Sequence, residues 1–252
     1  MHYIFLHGFV GSSEDFAPVR QALGNPTQVT APDWPGHGSL SSLRNVSDYS
    51  LSAHLKIIDE AVAKTSGPLT LVGYSMGGRI LQHWLIQNPT LPKESKVVLV
   101  STSPGISDVA ERQNRVAGDA AVARLLRVEG MQRFLHYWHW QTMFQPLMRL
   151  PRETLAPILK RRTACDPEGL ALSLSGVGTG ELADTWRLLP SLSDTTKVIA
   201  GELDSRYVDL AQQMHAAAPQ IRLNIIKGAG HAVHLEKPKE FAEALIDFPS
   251  SQ

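Results

Sequence analysis

The feature that most constrains this chain is its alternation of short apolar runs with longer helical patterns. Residues 3–6, 27–31, 69–74, 96–101, 197–201 and 221–226 read as strands. Several of these runs are continuously apolar, as strands are when helices cover both faces of a sheet. Between them the apolar spacing predicts helices over 15–23, 51–64, 77–87, 208–217 and 238–246. Strand and helix in turn predict an α/β fold: an open, mostly parallel central sheet with helices on both faces and right-handed crossovers. One stretch breaks the rhythm. From about residue 104 to 190 the pattern is helical with no good strand, and it includes the aromatic cluster His136-Tyr137-Trp138-His139-Trp140. The expected organisation is a core of residues 1–103 and 191–252 carrying a helical cap, residues 104–190. Such a cap would cover the carboxyl ends of the strands, where open α/β sheets bind ligands. With 252 residues the chain is long enough to bury roughly three quarters of its unfolded surface in such a core.

Composition removes several function classes. Lys plus Arg number 24 and so do Asp plus Glu, so no overall positive field points to nucleic acid. Cys165 is the only cysteine, which excludes an intrachain disulfide framework and a cysteine-based zinc site. No apolar run approaches the roughly 18 residues of a membrane-spanning helix. The opening residues have neither the basic nor the long apolar segment of a secretory leader, so a cytoplasmic protein without membrane insertion is expected. Neither a G-x-G-x-x-G nor a P-loop pattern occurs, so no nucleotide cofactor is implied. His231 and His234, like His136 and His139, are spaced i, i+3. No further ligands accompany either pair, so no metal is expected. The oligomeric state is not legible in these patterns.

The strongest local signal is Gly73-Tyr74-Ser75-Met76-Gly77-Gly78. It follows an apolar strand and precedes a helical pattern, the context of a G-x-S-x-G nucleophile elbow. There the serine sits on a sharp turn that tolerates only small residues two positions away on each side. Three further features follow in the order such a site requires. The loop after the first strand, His7-Gly8-Phe9-Val10-Gly11, offers the Phe9 peptide N–H as one oxyanion donor, and the elbow offers that of Met76 as the other. Gly201-Glu202-Leu203-Asp204-Ser205 supplies an acid after a late strand: Asp204, with Glu202 as the alternative. Gly228-Ala229-Gly230-His231 supplies a histidine after the last strand. Ser75, Asp204 and His231 thus form a candidate catalytic triad in that chain order. An unperturbed histidine titrates near pH 6.5, so activity is expected to rise through pH 6–7 as His231 becomes neutral.

These four segments lie at both ends of the chain and resemble the α/β-hydrolase superfamily. Within it the sequence is similar to the 2-succinyl-6-hydroxy-2,4-cyclohexadiene-1-carboxylate synthases of menaquinone biosynthesis. Arg79 directly after the elbow, Ala110-Glu111-Arg112-Gln113, Trp138, the Arg161-Arg162 pair, Gly201–Arg206 and Gly230–His234 carry that likeness. The resemblance implies a lyase that eliminates pyruvate, with Ser75 acting as a base rather than as an acyl nucleophile. It also implies a substrate-binding set of Tyr74, Arg79, Arg112, Trp138 and Arg162, with Arg161 as the alternative to Arg162. The arginines have a meaning of their own. A cation in the first turn of a helix opposes the helix dipole, so Arg79 makes more sense with an anion nearby. A small-molecule substrate with several carboxylates would suit three convergent guanidinium groups. The alternatives are a serine carboxylesterase or carbon–carbon bond hydrolase working through an acyl-serine, and a catalytically silent ligand-binding protein.

Overall fold

The computed structural model describes residues 1–248. In chain order the regular elements are β1 (His2–Leu6), α1 (Ala17–Ala22), β2 (Val29–Thr30), α2 (Leu51–Ala63), β3 (Leu69–Tyr74), α3 (Met76–Gln87) and β4 (Lys96–Val100). Then follow α4 (Val109–His139), α5 (Gln145–Met148), α6 (Arg152–Thr163) and α7 (Pro167–Val177). The chain returns through β5 (Thr196–Gly201), α8 (Ser205–Ala217), β6 (Arg222–Ile226), α9 (Val233–Glu236) and α10 (Pro238–Ile246).

The six strands form one sheet in the order β2-β1-β3-β4-β5-β6, with every neighbouring pair parallel. Residues β3 and β5 are buried along their whole length, which accounts for their uninterrupted apolar sequence. Alternate residues feed two separate cores. Ile4, Leu6, Leu69, Leu71, Val97 and Leu99 face one side with Ile58 of α2 and Ile80 of α3. Phe5, Val72, Val98, Val100 and Ile199 face the other with Val19 of α1 and Phe241 of α10. The fold class is the expected one: an α/β sheet with helices on both faces.

Two elements differ from expectation. The second strand shrinks to Val29–Thr30 because it is an edge strand paired only with Tyr3 and Ile4, and Pro32 follows with no N–H to extend the ladder. The first helix is split into a tight turn over Ser13–Phe16 and α1, with a proline in its first turn. The segment between β4 and β5 holds four helices, of which α4 packs chiefly on α7. A third apolar cluster joins Ala123, Leu126 and Phe134 of α4 to Leu170 and Leu174 of α7 and to Val10 of the loop after β1. Helix α4 is broken at Gly130, whose φ of 71° and ψ of −177° belong to a region open only to glycine. The break lets the two arms of α4 face the same cleft from different directions.

Candidate active site

Because all strands run the same way, their carboxyl ends share one edge, and β1, β3, β5 and β6 each deliver a loop there. Strand β3 ends at Tyr74, and Ser75 follows with φ 51° and ψ −111°. That is close to the first central position of a type II′ turn, which turns the hydroxyl out of the sheet and starts α3 at once. The turn is held by the Ser75 N–H donating to the Val100 carbonyl at 2.9 Å and by the Thr102 hydroxyl donating to the Ser75 carbonyl at 2.8 Å. A side chain at Gly77 would strike the Leu6 carbonyl of β1. Glycine there lets α3 start against the neighbouring strand.

The loop after β6 brings His231 beside this turn. Its Nε2 lies 3.1 Å from the Ser75 hydroxyl and its Nδ1 2.7 Å from Oδ2 of Asp204, at the end of β5. A carboxylate only accepts, so the hydrogen sits on Nδ1 and Nε2 is free to accept the serine proton. Asp204 and His231 are buried to 3% and 1% exposure. Burial pulls the histidine below its ordinary 6.5, against the opposing pull of Asp204. The titration therefore shifts toward lower pH than that of the unperturbed histidine assumed from the sequence alone. Glu202, the alternative acid, is exposed and accepts the Gly228 N–H at 2.8 Å. Geometry thus selects Asp204.

Phe9 and Met76 line the same cleft as Ser75 and His231, a space of about 270 Å³. Met76 is the first residue of α3, so its N–H has no partner inside the helix. The Phe9 N–H donates to no protein group among the described residues. Both N–H groups are thus available at the cleft.

The expected substrate-binding residues do not all meet there. Arg79 does: it lines the cleft, is 8% exposed and has no carboxylate partner among the described residues. Its Nε is buried without a hydrogen-bond acceptor, and burial pulls its pKa down to about 10, which leaves it cationic at neutral pH. A buried cation of this kind calls for an anion. Trp138 also lines the cleft, edge-on to Phe9 at 5.4 Å.

Arg112 does not line it. The face of α4 that does carries Arg115, Gly118, Asp119 and Val122, and Arg112 lies one turn beyond its end. The arginine on that wall is Arg115, held by Asp119 four residues on at 2.9 Å. Arg162 does not line the cleft either: it is buried, with Nη1 2.8 Å from Nε2 of His139. Arg161 points to a different groove, where it pairs with Asp15 at 2.7 Å beside Cys165. Burial raises the thiol of Cys165 to about 11, so it is not a thiolate at neutral pH. Tyr74 also stays out of the lining. Its ring packs under His231 at 5.4 Å and against His234 at 4.3 Å, supporting the histidine from below.

Sequence reasoning missed Arg115, Arg206, Tyr207 and Phe144 on the cleft wall. Arg206 and Tyr207 had a signal, since they lie two and three residues after Asp204. Tyr207 packs on His231 at 4.5 Å and Phe144 edge-on at 5.4 Å. Among the described residues no group of three His, Cys, Asp or Glu is placed to hold a metal ion, and no helix is long and apolar enough to cross a membrane.

Comparison with known proteins follows the same lines. The chain is 30% identical over 249 residues to a Bacillus subtilis (strain 168) protein provisionally named 2-succinyl-6-hydroxy-2,4-cyclohexadiene-1-carboxylate synthase, covering 98% of this chain and 90% of that one. It is 28% identical over 244 residues to the synthase of that name from Salmonella heidelberg (strain SL476), covering 96% of this chain and 91% of that one. Among solved structures, MenH from S. aureus superposes with a TM-score of 0.84 at 31% identity, over 98% of this chain and 92% of that one. An esterase from Thermogutta terrifontis, at 22% identity, shares the fold with a TM-score of 0.79 over 98% of this chain and 88% of that one. Residues 3–244 match the profile of the alpha/beta hydrolase family, and the chain belongs to that family.

Proposed function

We propose that this chain is a carbon–oxygen lyase that forms 2-succinyl-6-hydroxy-2,4-cyclohexadiene-1-carboxylate, the compound for which its relatives are named. It would do so by eliminating pyruvate from 2-succinyl-5-enolpyruvyl-6-hydroxy-3-cyclohexene-1-carboxylate. The observation that carries this reading is one cleft holding both an assembled Ser75–His231–Asp204 chain and the unpaired, buried Arg79.

In this reading Nε2 of His231 takes the Ser75 proton as the serine oxygen removes the ring proton next to the succinyl ketone. Asp204 holds the imidazole in the correct tautomer and stabilises the imidazolium. The ketone oxygen becomes an enolate that accepts the Phe9 and Met76 N–H groups, and one such donor is worth about 3–4 kcal/mol in related acyl chemistry. The electron pair then returns through the ring, shifts the ring double bond and expels the enolpyruvyl oxygen. Protonation of the released enolate by the His231–Ser75 pair and its ketonisation give pyruvate. Arg79 anchors a carboxylate with its planar fork. Residues 104–190 act as the cap, with Arg115 and Trp138 closing over the substrate.

A second reading is a serine carboxylesterase, favoured by the apolar part of the lining: Phe9, Val122, Trp138, Phe144, Leu174 and Val177. Spectroscopic turnover of the enolpyruvyl substrate, set beside p-nitrophenyl esters, decides between them. Elimination well above ester hydrolysis in kcat/KM supports the lyase. Efficient ester turnover with no elimination overturns it.

A further inference from the structure

The short helix α9, which no sequence pattern announced, ends in a carboxylate with no ion-pair partner among the described residues. Glu236 is 9% exposed. Its Oε2 accepts the Gly230 N–H at 2.5 Å and its Oε1 accepts the Ala232 N–H at 3.0 Å. These two peptides stand on either side of His231. The N–H between them, that of His231 itself, donates to the Met143 carbonyl of the inserted segment at 3.4 Å. Pro146 of the same segment packs on Gly230. Three consecutive peptide N–H groups of the histidine loop are therefore fixed, two by one side chain of the core and one from across the cleft.

We infer that Glu236 is a positioning residue for His231: its carboxylate grips the peptides before and after the histidine and so sets the imidazole between Ser75 and Asp204. A buried carboxylate is costly unless its oxygens are satisfied. Here both oxygens are spent on the loop that carries the base. A two-point grip fixes the loop's rotation as well as its position, which one hydrogen bond would not do. Burial, with Asp204, raises the Glu236 carboxyl above its ordinary value, against the two peptide N–H bonds and Arg162, which favour its anion. A cap for α9 alone would use the Ala232 N–H only, because Ala232 is the N-cap residue and Gly230 lies outside the helix. The inference rests on the Ser75–His231 couple of the proposed function but not on the identity of the substrate.

The test compares Glu236→Gln, Glu236→Asp and the unaltered chain. The first readout is the rate of labelling by a fluorophosphonate, in which the Ser75 oxygen bonds to phosphorus and fluoride leaves. It reports the serine–histidine couple whatever the natural substrate is. The second is the kcat and KM of elimination, and the third is the proton NMR signal of the His231 Nδ1–H. A misplacement of about 1 Å can cost up to about 100-fold in rate, so Glu236→Gln is expected to slow labelling and kcat by about 10- to 100-fold. KM should stay within about twofold, because the groups that hold the substrate are untouched. The Nδ1–H signal should broaden, and Glu236→Asp, one methylene short, should fall between. A lower melting temperature with unchanged labelling, kcat and Nδ1–H signal in the folded variants would overturn the inference and leave Glu236 a helix cap. In the unaltered chain the Gly230 and Ala232 amides should exchange slowly with solvent. Free exchange at both would overturn it too, whether or not the variants fold. Failure of elimination with labelling still dependent on Glu236 would count against the lyase reading alone.

Discussion

The cleft has two walls built on different terms. On the sheet side Ser75 directly follows β3, Asp204 lies three residues after β5 and His231 five residues after β6, in a loop whose peptide N–H groups are held by Glu236 and the Met143 carbonyl. On the helical side Arg115, Asp119 and Trp138 project from one long broken helix, and side-chain choice decides what faces the cleft. Under the proposed function, the contrast means that the proton-transfer residues are placed by short, hydrogen-bonded segments after the strands, whereas substrate selection would rest largely on rotatable side chains of one helix. Changes on the first wall should therefore abolish chemistry, and changes on the second should redirect it.

The largest effect is expected on the sheet side. Ser75→Ala and His231→Ala should each lower kcat by roughly 10⁴-fold, and the double variant should be little worse, because members of one proton-transfer unit fail together. Independent, multiplying losses measured by single-turnover kinetics would break the idea of one unit. Arg79 sharpens the comparison, since it stands on the sheet side yet would serve binding. Loss of a charge-assisted hydrogen bond of about 1.5–3 kcal/mol predicts a fall of roughly 10- to 150-fold in kcat/KM for the carboxylate substrate on Arg79→Ala. A neutral short-chain ester should hardly respond, and Arg79→Lys should recover only part of the loss. Equal losses on both substrates would make Arg79 a support of the elbow.

On the helical side Arg115→Ala should cost about tenfold in kcat/KM, mainly through KM, while Arg112→Ala should leave both constants level. Kinetics giving the reverse order would mean that the cleft wall rotates about α4 in solution. The smallest effect concerns pH. The base must be neutral, and burial disfavours its imidazolium form, so the acid limb of kcat/KM should have its midpoint below 6.5. A midpoint above that value, with chemistry rate-limiting, would place His231 in a wetter site than the one described.

The same contrast explains what the sequence disclosed. The elbow, Asp204 and His231 were legible because steric rules tie them to short glycine-bearing motifs at strand ends. The sheet was legible because doubly covered strands are apolar throughout. Arg112 and Arg115 both sit on one helix, and only the length of α4 before the cleft decides which turn reaches it. No local pattern encodes that distance. Arg161 and Arg162 are adjacent on α6 and point apart, one to Asp15 and one to His139, and such partners come from segments far away in sequence. Tyr74 lies inside the strongest motif, yet its ring turns under the histidine, because residues alternate faces at the end of β3.

Ser75 carries one more consequence. Its positive φ belongs to a turn position that glycine dominates, so a serine there holds about 1–3 kcal/mol of conformational strain. The chain keeps that energy as a standing debt of its native state. Ser75→Gly would release it, against about 0.5–1 kcal/mol of extra backbone entropy lost on folding, and should melt above Ser75→Ala, which keeps the strain. Selection for heat resistance alone would then push this position toward the residue that cannot take a proton. Its serine marks where reactivity outweighs durability.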